Sequence, residues 1–121
     1  MTKVLVVDDS DVLRKIAIFN LSKAGFEVHE AIDGLMGIEK IIEIKPDVVI
    51  LDIMMPKLDG FQVLEKVKKD PQLNTVKFIV LTAKGGDTDL ERAKKLGAEE
   101  FMTKPFSPKA LVEAVVRLAS R

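Results

Sequence analysis

Five side chains capable of ionic or proton chemistry stand where apolar runs of this chain end. Asp8 and Asp9 follow Val4, Leu5, Val6 and Val7, and Asp52 follows Val48, Val49, Ile50 and Leu51. Thr82 follows Phe78, Ile79, Val80 and Leu81, and Lys104 follows Phe101, Met102 and Thr103. A carboxylate at the end of a buried run is costly unless a cation or hydrogen bonds meet it. Three carboxylates together also repel one another, and a hard divalent cation removes that conflict. Oxygen-only ligation with few protein ligands suits Mg²⁺, which keeps several waters. Asp9 and Asp52 are the expected direct ligands. Asp8 would act directly or through a water, and a carbonyl just after Asp52, that of Met54, would add a further oxygen. A metal beside a mobile ammonium and a hydroxyl suits a phosphoryl group. Lys104 would neutralise its oxygens, Thr82 would donate a hydrogen bond, and the Asp52 carboxylate would be the nucleophile that forms an acyl phosphate. One condition is geometric. Adjacent residues of a strand point to opposite faces, so Asp8 and Asp9 share a site only if the strand has ended before them.

Elements able to deliver those side chains are legible in the hydrophobic spacing. Strands are expected at 3–7, 26–31, 47–52, 76–81 and 99–103, and helices at 11–24, 34–44, 59–69, 87–96 and 107–119. Inward faces are read as Leu13, Ile16, Ala17 and Leu21 in the first helix, and Leu35, Ile38, Ile41 and Ile42 in the second. Phe61, Leu64 and Val67 play that part in the third, and Leu111, Ala114, Val115 and Leu118 in the last. Ser10, Asp87 and Ser107 are helix caps, Gly25 and Gly97 are stops, and Pro108 sits in a first turn. In the second strand Phe26 and Val28 point inward, nearer an edge. Pro46 blocks continuation of the second helix, and the unbroken apolar run after it reads as a central strand covered on both faces. Strict alternation of strand and helix makes the class α/β, a doubly wound parallel sheet of five strands in a (βα)5 chain. Ligands of such sheets bind beyond the carboxyl ends of the strands, where the five polar side chains lie.

Bulk properties narrow the partners. The chain has 121 residues, 47% of them hydrophobic, enough for one self-sufficient core. We expect a single domain over 1–121, with no effector domain. Lys plus Arg and Asp plus Glu are equal at 19 each, which argues against a nucleic-acid partner. Cysteine is absent, which removes disulfides, thiolate metal sites and thiol catalysis. No signal-peptide pattern is visible, and no apolar stretch approaches the roughly 18 residues of a membrane span. The expected location is the cytoplasm.

Val7-Asp8-Asp9-Ser10, Leu51-Asp52-Ile53-Met54-Met55-Pro56 with Asp59-Gly60, Leu81-Thr82-Ala83 and Lys104-Pro105-Phe106 occur in this order along the whole chain. In these motifs the chain resembles the receiver domain of bacterial response regulators, the CheY-like family. The resemblance implies a flavodoxin-like sheet of order 2-1-3-4-5. It implies that Asp52 accepts phosphate from a phosphohistidine on a histidine kinase or phosphotransfer protein. Asp8 and Asp9 become the Mg²⁺ acids, Lys104 the phosphate-pairing base, Thr82 the switch hydroxyl, and Phe101 the aromatic switch, where the family commonly has Tyr. It implies a cis Lys104–Pro105 bond. It also implies slow self-dephosphorylation without independent turnover, influenced by Met54 and Lys84. The output would be repacking of the face formed by the fourth helix, fifth strand and fifth helix. Its target is an unknown protein, and the chain would be a monomer or a weak phosphorylation-dependent dimer.

Other readings fare worse. An aspartyl-nucleophile phosphohydrolase needs a second acid two residues after the nucleophile, where this chain has Met54. A flavodoxin-like cofactor binder needs a phosphate loop after the first strand, where Asp8 and Asp9 would repel an anion. A receiver-like module that only binds proteins would not need the intact acids. His29 reads as structural, Met54 and Met55 as loop packing, and Arg92, Lys94 and Lys95 as a solvated helix face. Val12, Phe19 and Phe106 are divided between packing and a kinase-contact patch.

Overall fold

The computed structural model describes residues 1–55, 58–83 and 87–120. Strands β1 (Lys3–Val7), β2 (Glu27–Ala31), β3 (Val48–Asp52), β4 (Lys77–Ala83) and β5 (Glu100–Lys104) alternate with helices α1 (Asp11–Lys23), α2 (Gly34–Ile44), α3 (Gly60–Lys69), α4 (Asp87–Lys95) and α5 (Pro108–Ala119). The strands form one parallel sheet of order β2-β1-β3-β4-β5. The doubly wound class and the strand order expected above are therefore what the chain adopts.

Local chemistry starts the helices where expected. Ser10, Asp33, Asp59 and Ser107 each accept a backbone N–H of their own first turn, and Asp59 with Gln62 closes a reciprocal capping box. Gly25 and Gly97 follow α1 and α4 at φ +98° and +99°, a conformation that side chains resist. The proposed Asp87 cap concerns a side chain outside the described ones.

Each sheet face carries its own core. Leu5, Val49, Leu51, Phe78 and Val80 pack with α2 and α3 residues such as Ile41 and Leu64. On the other face Val4, Val6, Ile50, Ile79 and Leu81 pack with Ala17, Leu21, Leu111, Ala114, Val115 and Leu118. All of β3 is buried, as its unbroken apolar run demands. Ties at the layer edges are polar. Lys68 Nζ donates to the Val76 carbonyl at 2.8 Å and to Glu99 at 2.7 Å, and Glu99 also accepts the Phe78 N–H at 2.7 Å. Arg92 lies over the Phe61 ring at 4.2 Å, so α4 is clasped to α3.

Two helix faces differ from expectation. In α1 the sheet-facing set is Arg14, Ala17 and Leu21, while Ile16 is exposed and Leu13 half-buried. Ile16 lies two positions from Arg14, about 200° round the helix, so both cannot face inward. In α2 the facing set is Gly34, Gly37, Ile38 and Ile41, which leaves Leu35 and Ile42 in solvent. Close approach selects that face, because a Cβ on Gly37 would already lie 3.1 Å from Val7 Cγ1. Strand ends differ too. β4 continues through Thr82 to Ala83 and β5 through Lys104, beyond the positions 81 and 103 read from the sequence. Parallel pairing sets Asp52 beside Leu81, Thr82 beside Thr103 and Ala83 beside Lys104.

The approach of α3 to the end of β3 depends on Gly60. A Cβ there would lie 2.5 Å from Ile53 Cα and 2.7 Å from the Asp52 carbonyl oxygen. Gly60→Ala should therefore destabilise the fold by about 1–3 kcal/mol, despite alanine's better helix propensity. Urea denaturation checks this, and an unchanged midpoint would show that α3 can shift away freely.

Candidate functional site

The expected site residues converge at the carboxyl edge of the sheet. Asp8, Asp9 and Asp52 each offer a carboxylate oxygen, and these oxygens lie within 4.8 Å of one another. Strand β1 ends at Val7, so the condition for Asp8 and Asp9 to share a site is met. Asp8 keeps one ladder bond, its N–H reaching the Ala31 carbonyl at 3.2 Å, and its side chain then accepts the Ser10 N–H at 2.9 Å. The chain turns there, and Asp9 is exposed while Asp8 is buried.

Asp52 is only 1% exposed. Its Oδ2 accepts from Lys104 Nζ at 2.9 Å and its Oδ1 from the Met54 N–H at 3.0 Å. Lys104 also reaches Asp8 at 3.3 Å. Burial pushes the Asp52 carboxyl above the usual carboxylate range, and the neighbouring Asp8 charge adds to that push. The Lys104 hydrogen bond, the Met54 N–H and the Lys104 charge oppose it without cancelling it. Burial pulls the Lys104 ammonium down, yet the hydrogen bond and charge of Asp52 and the contacts with Asp8 together hold it above the usual lysine range. Lys104 thus stays cationic, while ionised Asp52 is costly until another positive charge arrives.

Thr82 is buried, and its hydroxyl donates a long 3.5 Å bond to the Met102 carbonyl across the β4–β5 pair. Phe101 is half-buried against the α2–α3 core and pairs in register with Val80. The Lys104–Pro105 bond is cis, as expected. Met54 is 67% exposed at the site mouth, whereas Met55 packs on the core. Pro56 and Lys84 lie outside the described residues.

The remaining candidates divide. His29 is half-buried in β2 with its ring 2.7 Å from Glu27, a structural contact. Phe106 packs on the α1–α5 core, while Val12 and Phe19 stand exposed on α1. Lys94 and Lys95 are solvated, and Arg92 is exposed but stacked on Phe61. Arg14 was missed. Its buried guanidinium reaches the Asp8 carbonyl at 2.8 Å. The only sequence signal was a cation three and seven positions before Ala17 and Leu21, on what proves to be the inward face.

The three acids among the candidate metal donors present hard carboxylate oxygens. Two are buried and one is exposed, so the cluster fits a divalent cation.

Known proteins share this fold. The sequence pattern of the response regulator receiver domain matches residues 4–116. The ycf27 protein of Guillardia theta is 46% identical over 119 residues, covering 98% of this chain and 45% of that protein. PilG of Pseudomonas aeruginosa is 37% identical over 113 residues, covering 93% of this chain and 84% of PilG. The crystal structure of the chemotaxis protein CheY4 of Vibrio cholerae superposes with a TM-score of 0.90 at 33% identity, covering 98% of each chain. The chain belongs to the response regulator receiver domain family. It spans about half the length of ycf27 and of RpaA from Synechocystis. Among the described residues, no helix is long and apolar enough to cross a membrane.

The raised Asp52 pKa has a signed consequence for stability. The unfolded carboxyl ionises near 3.8 and the folded one higher, so the fold loses stability as pH rises from the first value through the second. Above that window the penalty is complete. Asp52→Asn should accordingly be more stable than the parent at pH 7 without divalent ions, and the difference should vanish below pH 3.8. Thermal melts across this range check the sign. A variant less stable at neutral pH would mean that the lost Lys104 contact outweighs the relieved burial.

Proposed function

We propose that this chain is the phosphoacceptor of a two-component signalling pathway, working in the cytoplasm with a histidine kinase or histidine phosphotransfer protein. The Asp52 carboxylate attacks the phosphorus of the donor phosphohistidine. A new O–P bond forms, the N–P bond breaks, and the imidazole leaves with the bonding pair. The observation that carries this reading is the buried Asp52, 2.9 Å from Lys104 and clustered with two more acids.

Asp8, Asp9, Asp52 and the Met54 carbonyl would hold Mg²⁺, which when bound offsets the negative charge of the acids and of the incoming phosphoryl oxygens. The chain's own groups do the rest. Lys104 supplies a fixed positive charge, and the Met54 N–H holds one Asp52 oxygen. The Thr82 hydroxyl exchanges its weak bond to Met102 for a phosphoryl oxygen, which vacates space near Phe101. Phe101 has no hydroxyl, so its response works through packing. The surface formed by α4, β5 and α5 then changes shape for a downstream protein. Exposed Met54 stands where a phosphohydrolase would carry its second acid, and it influences how long the acyl phosphate lasts. Val12 and Phe19 on α1 offer the donor protein an apolar contact.

Acetyl phosphate with Mg²⁺ should yield one acid-stable, base-labile adduct by intact mass, absent from Asp52→Asn. Lys104→Met should slow its formation about a hundredfold, the scale of losing one transition-state charge partner. Unchanged labelling of Asp52→Asn would move the nucleophile elsewhere. In the parent, Mg²⁺ at a hundred times its dissociation constant should raise unfolding free energy by about 2.7 kcal/mol, measured by denaturant titration.

A further inference from the structure

We infer that Arg14 is a positioning residue for the acidic site: its buried guanidinium captures the Asp8 backbone carbonyl and so sets the turn that brings Asp8 and Asp9 to one ligand. The inference deepens the metal and phosphoryl reading above and rests on it.

The geometry begins with a strand that must stop. Asp8 still donates its N–H to Ala31 at 3.2 Å, as a continuing β1 residue would. Its carbonyl leaves the ladder and accepts from Arg14 Nη1 at 2.8 Å. A backbone carbonyl buried at this depth needs a partner, and a guanidinium offers a charged one. The side chain of Asp8 meanwhile turns back to the Ser10 N–H at 2.9 Å. Carbonyl and carboxylate of one residue are thus fixed independently, and the adjacent Asp9 is delivered to the same edge.

Arg14 is itself held rigidly. It is 5% exposed and lies on the α1 face that packs against the sheet. Its Nε donates to Glu30 on β2 at 2.7 Å, and its Nη2 donates to Asp11 on α1. Three acceptors on β2, α1 and the end of β1 therefore use three separate N–H directions of one planar fork. A lysine ammonium keeps the charge but cannot match that planar arrangement on a flexible stem.

Electrostatics and positioning predict opposite signs, which makes the role testable. Removing a nearby cation should by charge alone favour a divalent ion. Removing a group that orients ligands should weaken it, by about ten- to a hundredfold for outer partners of metal ligands. The experiment titrates MgCl₂ into the parent, Arg14→Lys, Arg14→Met and Leu21→Ala, followed by amide chemical shifts and calorimetry. Leu21 is a fully buried α1 residue with no part in the acidic site, so it controls for general loosening of the helix. We expect both Arg14 variants to bind about ten- to a hundredfold more weakly and Leu21→Ala to keep the parent affinity. Without metal, the Asp9 and Ser10 amide resonances should already move in Arg14→Lys. Should Arg14→Met not fold, Arg14→Lys decides alone.

Parent-like affinity in Arg14→Lys overturns the inference, as does tighter binding in Arg14→Met or an equal loss in Leu21→Ala. A parent that binds no Mg²⁺ overturns the metal reading first, and this role with it.

Discussion

An ionised carboxylate buried at the end of the central strand is the constraint on which the rest of the site depends. Asp52 has two protein donors, the Met54 N–H and Lys104, and they do not fully compensate its removal from water. Asp8, buried alongside, adds negative charge to the same small volume. The fold therefore holds the acids in an arrangement that is unfavourable alone and is relieved when positive charge enters.

The surrounding structure maintains that tension. Two apolar layers clamp β3 on both faces, so Asp52 cannot retreat to solvent. Parallel register places the ends of β4 and β5 beside it, which carries Thr82 and Lys104 to the edge that holds the acids. Gly60 lets α3 begin against the Asp52 carbonyl. Arg14 closes the other side by taking the carbonyl of Asp8, just past the end of β1. The same side chains that stabilise the edge can register a new charge there. Thr82 reaches from the site towards β5, and Phe101 lies one position from its bonded partner Met102.

Some of this was legible from residue order and some was not. The five alternations of strand and helix, the Ser10 and Ser107 helix caps and the buried central strand followed from apolar spacing and short-range polar chemistry, because those signals act within a few residues. Convergence of Asp8, Asp9, Asp52 and Lys104 was legible because parallel strands send their ends to one edge. The inward faces of α1 and α2 were misjudged for a common reason. Counting large apolar residues ignores what the sheet admits, which is the Arg14 guanidinium under α1 and the bare backbone of Gly34 and Gly37 under α2. Strand ends were read short at Leu81 and Thr103, because polar side chains disguised residues still held by the ladder.

The sequence alone thus determined the fold class, the order of elements and the chemical kinds of group at the site, all consequences of local periodicity and residue type. Only the tertiary structure decided their spacing: the 2.9 Å approach of Lys104 to Asp52, the turn at Asp8, and the burial that unsettles the Asp52 charge. Distances between residues 52 positions apart depend on how separate layers pack, and no local pattern in the chain encodes that packing residue by residue.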